Sequence, residues 1–343
     1  MKFSVVIANW NYERFVGGSI QSVLAQDYPD IELILVDDGS TDSSREIIRR
    51  FESQAKVLLK PNGGQASALN YAFPHCTGNV VLFLDADDLL IPDALSKIAA
   101  AWRPGVSKLH FSLNVIDEVG HLLGARVPRA RLPAGSLRED VLRRGIYISP
   151  PSSGNAYSRE YLQSIMPIPE REWVYADAYL ICQAPLWGEI AAVDEPLGQY
   201  RRHSRSATNV STADPEELRR KLGVMFGMDL QIRRQLEHVA ARKGLRMASA
   251  AVTGHWLHLK TGLALAKLER QGPGNTVGEA VRLVRAVWSA PEVSIKGRLQ
   301  LTVWAMLVAA LPRLAAMPLI QLAFSPGDRA SLFSLRGWFS TGR

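Results

Sequence analysis

Asp85, Asp87 and Asp88 follow directly on an unbroken apolar run, residues 80–84, in the stretch VVLFLDADD. A short run rich in Val, Leu and Phe predicts a parallel strand buried on both faces. Such a strand cannot carry an ionised carboxylate until it leaves the sheet. The aspartates are therefore placed at its carboxyl end, where open α/β sheets keep their ligand crevice. Alternation along the strand sets Asp85 and Asp87 on one side and turns Asp88 into the following loop. Three negative charges this close repel unless a cation joins them, and a hard divalent ion with oxygen ligands meets that need and brings phosphates with it. The plainer alternative is that Asp88 begins a turn or caps the next helix, with Asp85 and Asp87 solvated.

The elements that must position this cluster are legible around it. Residues 3–8 read as a first strand, 9–14 as the loop at its carboxyl end, and Ser19, Ile20, Val23 and Leu24 as the apolar face of a helix closed by Pro29. Residues 31–36 form a second buried strand that runs into Asp37, Asp38 and Gly39, with Thr41 or Asp42 capping the helix beyond. A short third strand, 57–59, leads to Asn62, Gly63 and Gly64 and then to a helix over 65–73; another helix, 92–102, follows the acidic strand. Strands alternating with helices predict a doubly wound parallel sheet. Polar groups from four strand ends then meet in one crevice. Carboxylates there accept from a base and ribose, glycines admit close approach, and a metal takes phosphates: the makings of a nucleotide site.

From Lys108 the pattern changes to an antiparallel hairpin, a short helix over 137–144 and a turn-rich segment, 151–157. Residues 173–183 alternate at helical period and carry Asp177 among apolar neighbours, and 189–203 suggest two short strands and a loop ending in Tyr200, Arg201, Arg202 and His203. Beyond Asp214 the pattern is helical, with long helices near 215–241 and 246–271, a break at Gly272, Pro273 and Gly274, and a very apolar stretch, 299–324. Pro312, Arg313 and Pro318 interrupt that stretch, so it is expected to lie at or re-enter a membrane interface rather than span it. The alternative is a helix packed on its predecessors. Trp256, Trp288 and Trp304 are expected as core or interface anchors.

Two cysteines, Cys76 and Cys182, without partners at metal spacing, exclude a disulfide framework and a zinc site and suit a reducing compartment. The amino terminus passes straight into a strand pattern, with no signal peptide expected. Charge is uneven: residues 216–343 hold 19 Lys and Arg against 8 Asp and Glu, whereas 1–215 hold 21 against 25. An acidic first part is a poor nucleic-acid surface, and a basic, apolar tail suits an anionic membrane face.

Four blocks in order, SVVIANWNYERFVGGSIQSVLAQDYPDIELILVDDGSTD, NGGQASALN, FLDADD and DEPLGQYRRH, resemble family 2 glycosyltransferases of GT-A fold. The resemblance covers residues 1 to about 208. It implies an α/β, Rossmann-like mixed-sheet catalytic domain over 1–212 with a helical extension over 213–343. It also implies a nucleotide-sugar donor, commonly a UDP-sugar, a Mg2+ or Mn2+ ion, and inversion at the anomeric carbon. By matched position, Asn9, Asn11 and Tyr12 line the uracil pocket, and Asp37 or Asp38 binds base or ribose. Asn62, Gly64, Gln65 and Asn70 close over the nucleotide. Asp85 and Asp87 belong to the D-x-D element, with Asp87 and Asp88 for ribose and metal contact. Arg201 reaches toward the diphosphate and His203 ligates metal or donates a hydrogen bond. Gly154 and Asn155 fall in the acceptor-side segment.

An inverting transfer needs a carboxylate to take the acceptor's proton. In the family this is the Asp of a Glu-Asp pair opening a helix. Asp177 fits that place, although Ala176 stands where the Glu is expected, and Glu172 is the alternative. The Q-x-x-R-W signature of processive synthases is absent, so one sugar is added per acceptor. The expectation is an enzyme at the cytoplasmic face of a plasma membrane, acting on a lipid-linked or cell-surface glycan. The rival from another class is a catalytically silent nucleotide-sugar-binding scaffold at the membrane. A sugar-1-phosphate nucleotidyltransferase would need a glycine-rich loop that ANWNYER lacks.

Overall fold

The structure is a computed structural model describing residues 1–173, 175–203, 214–248, 255–269, 273–290 and 293–324. It divides into two units, Met1–Val141 with Ile146–His203, and Leu142–Gly145 with Ser204–Arg343.

The first unit is built on a mixed nine-stranded sheet. Its parallel part runs β3 (Lys56–Lys60), β2 (Ile31–Asp38), β1 (Phe3–Asn9) and β4 (Val80–Asp85). Val5, Ile7, Leu33, Leu35, Leu82 and Leu84 are all buried, which is why these strands read as continuous apolar runs. Each such side chain stabilises the fold by about 1.5–3 kcal/mol. Helices α1 (Val16–Leu24), α2 (Ser44–Arg49), α3 (Gln65–Ala72) and α4 (Ala94–Ala101) alternate with the strands, and Ile20, Val23, Ile48, Leu95 and Ile98 join the same core. Beyond β4 the sheet becomes mixed, and the expectation of parallel winding stops there. Antiparallel β8 (Asn155–Ser158) lies next to β4, followed by β6 (Val106–Ile116), β9 (Glu189–Arg201) and β5 (Leu89–Leu90), and β7 (Leu122–Val127) pairs with β6. Helices α5 (Arg138–Arg144), α6 (Arg159–Ile165) and α7 (Ala176–Gln183) fall within this second half of the sequence.

Register decides what the sheet presents at its carboxyl ends. Asn9 lies beside Asp37 and Ala8 beside Asp85, so β1, β2 and β4 deliver their polar tips at one level. Residues 189–201, expected as two short strands, form one strand instead. Register shifts opposite Phe111, Ser112 and Leu113 absorb the interruption at Pro196. Gly198 is required where that strand passes between its neighbours, because a Cβ there would lie 2.6 Å from Leu113 Cδ2 and 2.8 Å from the Leu89 carbonyl oxygen. Cys76 and Cys182 are free and buried, and burial raises the Cys76 thiol to about 12.

The second unit is helical: α8 (Pro215–Arg242), α9 (Trp256–Leu268), α10 (Pro273–Ser289), α11 (Ile295–Ala310) and α12 (Arg313–Phe324). Of the helix expected over 246–271, Trp256–Leu268 is helical and 246–248 are not, while residues 249–254 and 270–272 lie outside the described residues. Pro273 opens α10, as its fixed φ allows at a first helical position. Leu222, Trp256, Leu263, Leu283, Trp304 and Ile320 share one core, so part of the apolar 299–324 stretch packs on preceding helices. No helix among the described residues is long and apolar enough to cross a membrane.

At the amino ends of the sheet, Glu32 ties three strands together. It accepts from Lys2 Nζ at 2.8 Å, Thr77 Oγ1 at 2.6 Å and the Gly78 N–H at 3.1 Å, and also from Ser4 and the Thr77 N–H. Burial alone would raise this carboxyl, but Lys2, Ser4 and Thr77 together outweigh it and hold it at about 2. The stabilisation is thus present above the ordinary carboxylate range and is lost as pH falls toward about 2. Glu32→Gln is expected to cost about 1 kcal/mol at pH 7, allowing for partial solvation, with a smaller cost at pH 4. Urea midpoints at the two pH values measure this, and an equal cost at both would contradict it.

Candidate active site

The tips of β1 and β2 form one hydrogen-bonded corner. Buried Asn9 donates to Asp37 Oδ2 at 3.2 Å and Ser40 Oγ at 3.1 Å. Asp37 also accepts from the Ser40 N–H at 3.0 Å and Arg45 Nε at 2.7 Å. Its burial favours the neutral form, but Arg45, Ser40 and Asn9 outweigh that and lower its carboxyl below the ordinary range. Asn11 adopts φ 59°, the left-handed conformation that Asn tolerates, and its Oδ1 accepts from the Thr41 N–H at 2.8 Å. Gly39 has φ +78°, and a Cβ there would sit 2.4 Å from the Asn62 nitrogen. These contacts fix the two loops against each other. Asn9 Oδ1 is buried and has no hydrogen-bond partner among the described residues.

Asp38 faces the next loop. It pairs with Lys60 and accepts from the Gly63 N–H at 3.0 Å and the Gly64 N–H at 2.7 Å, while Asn62 Nδ2 donates to the Asp38 carbonyl at 2.9 Å. Both Asp37 and Asp38 are buried and held by the protein's own donors. Gly64, at φ +84°, admits the turn into α3. Gln65 Oε1 there accepts the Ala176 N–H at 3.1 Å, which fixes the first turn of α7. Asn70 points elsewhere: its amide bonds the Ile168 carbonyl and N–H at 2.8 Å each and Glu170 at 3.1 Å, clamping the 168–170 loop.

The acidic turn closes on itself, with the Asp88 N–H donating to the Asp85 carbonyl at 3.1 Å. Asp88 is buried; Oδ1 accepts the Arg201 N–H at 2.9 Å, and Oδ2 has no hydrogen-bond partner among the described residues. Asp87 Oδ2 lies 2.9 Å from His203 Nε2. The His203 ring stacks on Phe15 at 5.1 Å and meets the edge of Tyr12 at 5.8 Å. Arg201 acts as a strut: Nε donates to the Asp87 carbonyl at 2.9 Å, Nη1 to the Asp117 and Glu118 carbonyls at 3.3 and 3.1 Å, and its guanidinium lies over Phe15. Its hydrogen bonds are thus made inside the protein.

Asp177, in the first turn of α7, accepts the Ala178 N–H at 2.8 Å. Burial raises its carboxyl above the ordinary range. The Asp85 carboxyl is pushed well above that range by burial first and then by the charges of Asp88, Asp87 and Asp177, so Asp177 shares the field of the acidic turn. Burial and Asp87 raise Asp88 likewise. Among the described residues no three His, Cys, Asp or Glu are gathered to hold a metal ion by themselves. The donor set nevertheless fits a hard divalent ion: carboxylate oxygens, one of them buried and unpartnered, in a site crowded with negative charge. Such an ion would be held by Asp87 and Asp88 and would supply positive charge to this site.

Several residues of this site carry no sequence signal of their own. Ser153 Oγ accepts the Asp85 N–H at 3.1 Å, and Asn155, fully buried, donates to the Pro150, Pro151 and Ser152 carbonyls at 3.3, 2.7 and 3.2 Å. Buried Lys108 Nζ donates to Asn155 Oδ1 and Ser149 Oγ at 2.7 Å each, and the neighbouring His110 is held neutral, lowered to about 2 by burial and by Lys108. The turn-rich PPSSGN spelling and the resemblance, through Gly154 and Asn155, pointed to this segment; Lys108, His110 and Ser149 had no such signal.

A mixed sheet whose strand ends carry polar side chains and an acidic turn that shares its field with Asp177 describes an α/β protein with a crowded carboxylate site. Residues 4–110 match the family model described as glycosyl transferase family 2. An uncharacterized glycosyltransferase of Nostoc sp. is 36% identical over 234 residues, covering 65% of this chain and 72% of that protein. EpsE of Bacillus subtilis, described as a putative glycosyltransferase, is 36% identical over 136 residues, 37% of this chain and 48% of its own. Among solved structures, Staphylococcus aureus TarS 1–349 in complex with UDP superposes with a TM-score of 0.54 at 19% identity, covering 94% of this chain and 90% of that one. The chain belongs to glycosyltransferase family 2, has the GT-A fold and is a glycosyltransferase.

Crowded carboxylates at a binding site cost stability. Asp85→Asn is expected to raise the unfolding free energy of the nucleotide-free protein by about 1 kcal/mol or more at pH 7, because it removes a carboxyl whose ionised form is disfavoured by burial and by three like charges. The same variant is expected to lose transfer. Denaturation and turnover measured side by side check both; a destabilised Asp85→Asn would contradict the repulsion.

Proposed function

We propose that this glycosyltransferase moves one sugar, with inversion, from a nucleotide-sugar, a UDP-sugar in the first instance, to a hydroxyl of a lipid-linked or cell-surface glycan. The observation that supports this reading is that the charge of Asp177 acts on Asp85 together with those of Asp87 and Asp88, so a further carboxylate with a raised pKa shares the field of the acidic turn. The UDP named in the TarS complex supports a uridine donor.

In this reading the corner of Asn9, Asn11 and Tyr12 with Asp37 receives the base and ribose, its loops held in shape by Ser40 and Arg45. The loop of Asn62, Gly64 and Gln65, anchored on Asp38, closes over the nucleotide from the other side. Asp87, Asp88 and His203 are the residues toward a divalent ion, Mg2+ or Mn2+, which when bound supplies positive charge against the departing diphosphate. Arg201 positions the turn that carries them.

The acceptor hydroxyl must attack the anomeric carbon from the face opposite the diphosphate and must lose its proton as it does so. Asp177 takes that proton on a carboxylate oxygen. Burial raises its pKa, and a carboxylate that burial disfavours in its charged form takes a proton more readily than a solvated aspartate. Gln65 Oε1 accepts the Ala176 N–H and keeps this turn of α7 in place, at the position where Ala stands for the expected Glu.

Asp177→Asn keeps the size of the side chain and removes the base. Transfer is expected to fall by about 10²–10⁴-fold, while UDP-sugar binding and the melting midpoint stay at least at wild-type values. Because the base acts ionised, wild-type activity is expected to decline as pH falls through the raised pKa of Asp177, and the residual activity of Asp177→Asn to lack that limb. Unchanged transfer in Asp177→Asn would remove it as the base; normal donor binding with no transfer by wild type to any glycan acceptor would favour a binding protein.

A further inference from the structure

α11 is apolar on two sides. Leu301, Trp304, Ala305 and Val308 are buried in the core of the helical unit. The other side carries Ile295, Leu299, Val303 and Met306, spaced at helical period and exposed, Ile295 at 71% and Met306 at 59%. A helix that faces water on one side has no reason to be apolar there. α10 packs on α11 and repeats the pattern, with exposed Val281 and Trp288 two turns apart. Trp288 Nε1 donates to Thr302 Oγ1 of α11 at 3.0 Å, so the tryptophan lies at the seam and the two exposed stripes join into one face. A continuous exposed apolar face of this kind marks an interaction surface.

Charge narrows the choice of partner. Arg282 and Arg285 on α10 and Lys296 on α11 are exposed around the apolar stripes. Glu279, paired with Arg282 at 3.1 Å, is the one acidic residue that α10 and α11 contain. A second copy would set these cations against their like, whereas an anionic surface attracts them. The stripes themselves are almost wholly hydrocarbon, with an indole at their seam, a composition that suits the headgroup boundary of a bilayer. No helix among the described residues can cross a membrane, so the pair must lie in its plane.

We infer that the paired outer faces of α10 and α11 are a docking surface for an anionic lipid bilayer. The inference adds a partner to the transferase reading, in which the acceptor is lipid-linked, but rests on its own observations.

Flotation of the full-length protein with vesicles of phosphatidylcholine, alone or with phosphatidylglycerol, tests it. The wild type is expected to bind the anionic vesicles, more weakly as salt rises. Arg282→Gln with Arg285→Gln is expected to lower that binding about thirtyfold and to diminish the preference for anionic lipid. Leu299→Gln with Met306→Gln is expected to lower it about tenfold while leaving the melting midpoint unchanged, since both side chains are exposed. If the second pair fails to fold, the arginine pair still decides. Donor hydrolysis without vesicles is expected at the wild-type rate in both variants, so failed docking and a failed transferase reading give different results. A wild type that ignores anionic vesicles, or variants that bind like wild type, would overturn the inference. So would a vesicle-free dimer that Leu299→Gln with Met306→Gln converts to monomer, which would make this face a contact between copies.

Discussion

Mutual repulsion among Asp85, Asp87, Asp88 and Asp177 is the constraint on which the first unit turns. An aspartate at the end of a buried strand is costly, and each further carboxylate nearby raises the cost. The acids persist because surrounding elements hold them in place. Ser153 takes the Asp85 N–H, the Arg201 backbone meets Asp88, the Arg201 guanidinium grips the turn's carbonyl, and His203 lies against Asp87. Much of the outer sheet serves this arrangement: β9 threads between β6 and β5, with a glycine where no side chain fits, and delivers Arg201 and His203 to the acidic turn.

The nucleotide-side loops are organised on a different principle. Asp37 and Asp38 are satisfied internally, by Arg45, Asn9 and Ser40 in one case and by Lys60 and two glycine N–H groups in the other. They pre-shape the loops, which in the proposed reading lowers the ordering cost of binding a nucleotide. The acidic turn is therefore the strained part of the site and the loops are its settled part.

What was legible in the sequence follows from where the chain is apolar without interruption. The strands around residues 3–8, 31–36 and 80–84 announced themselves, and with them the level at which Asn9, Asp37 and Asp85 emerge. Residues 189–201 were not legible as one strand, because Pro196 reads as a break and the compensating register shifts belong to the partner β6. The long-range clamps were invisible for a related reason. Asn70 on residues 168–170, Gln65 on Ala176 and Lys108 on Asn155 join positions whose pairing only the folded topology creates. In the helical unit the apolar composition was plain, but composition alone does not divide it into a face that packs inward and a face that remains outside.

The central claim is that the acidic turn needs a cation before it accepts a diphosphate. Calorimetric titration of UDP into the purified protein, once with Mn2+ and once with EDTA, tests this directly. The account predicts tight binding with the ion and binding at least about tenfold weaker without it, because phosphate otherwise meets uncompensated carboxylates. Equal affinity in EDTA would contradict it.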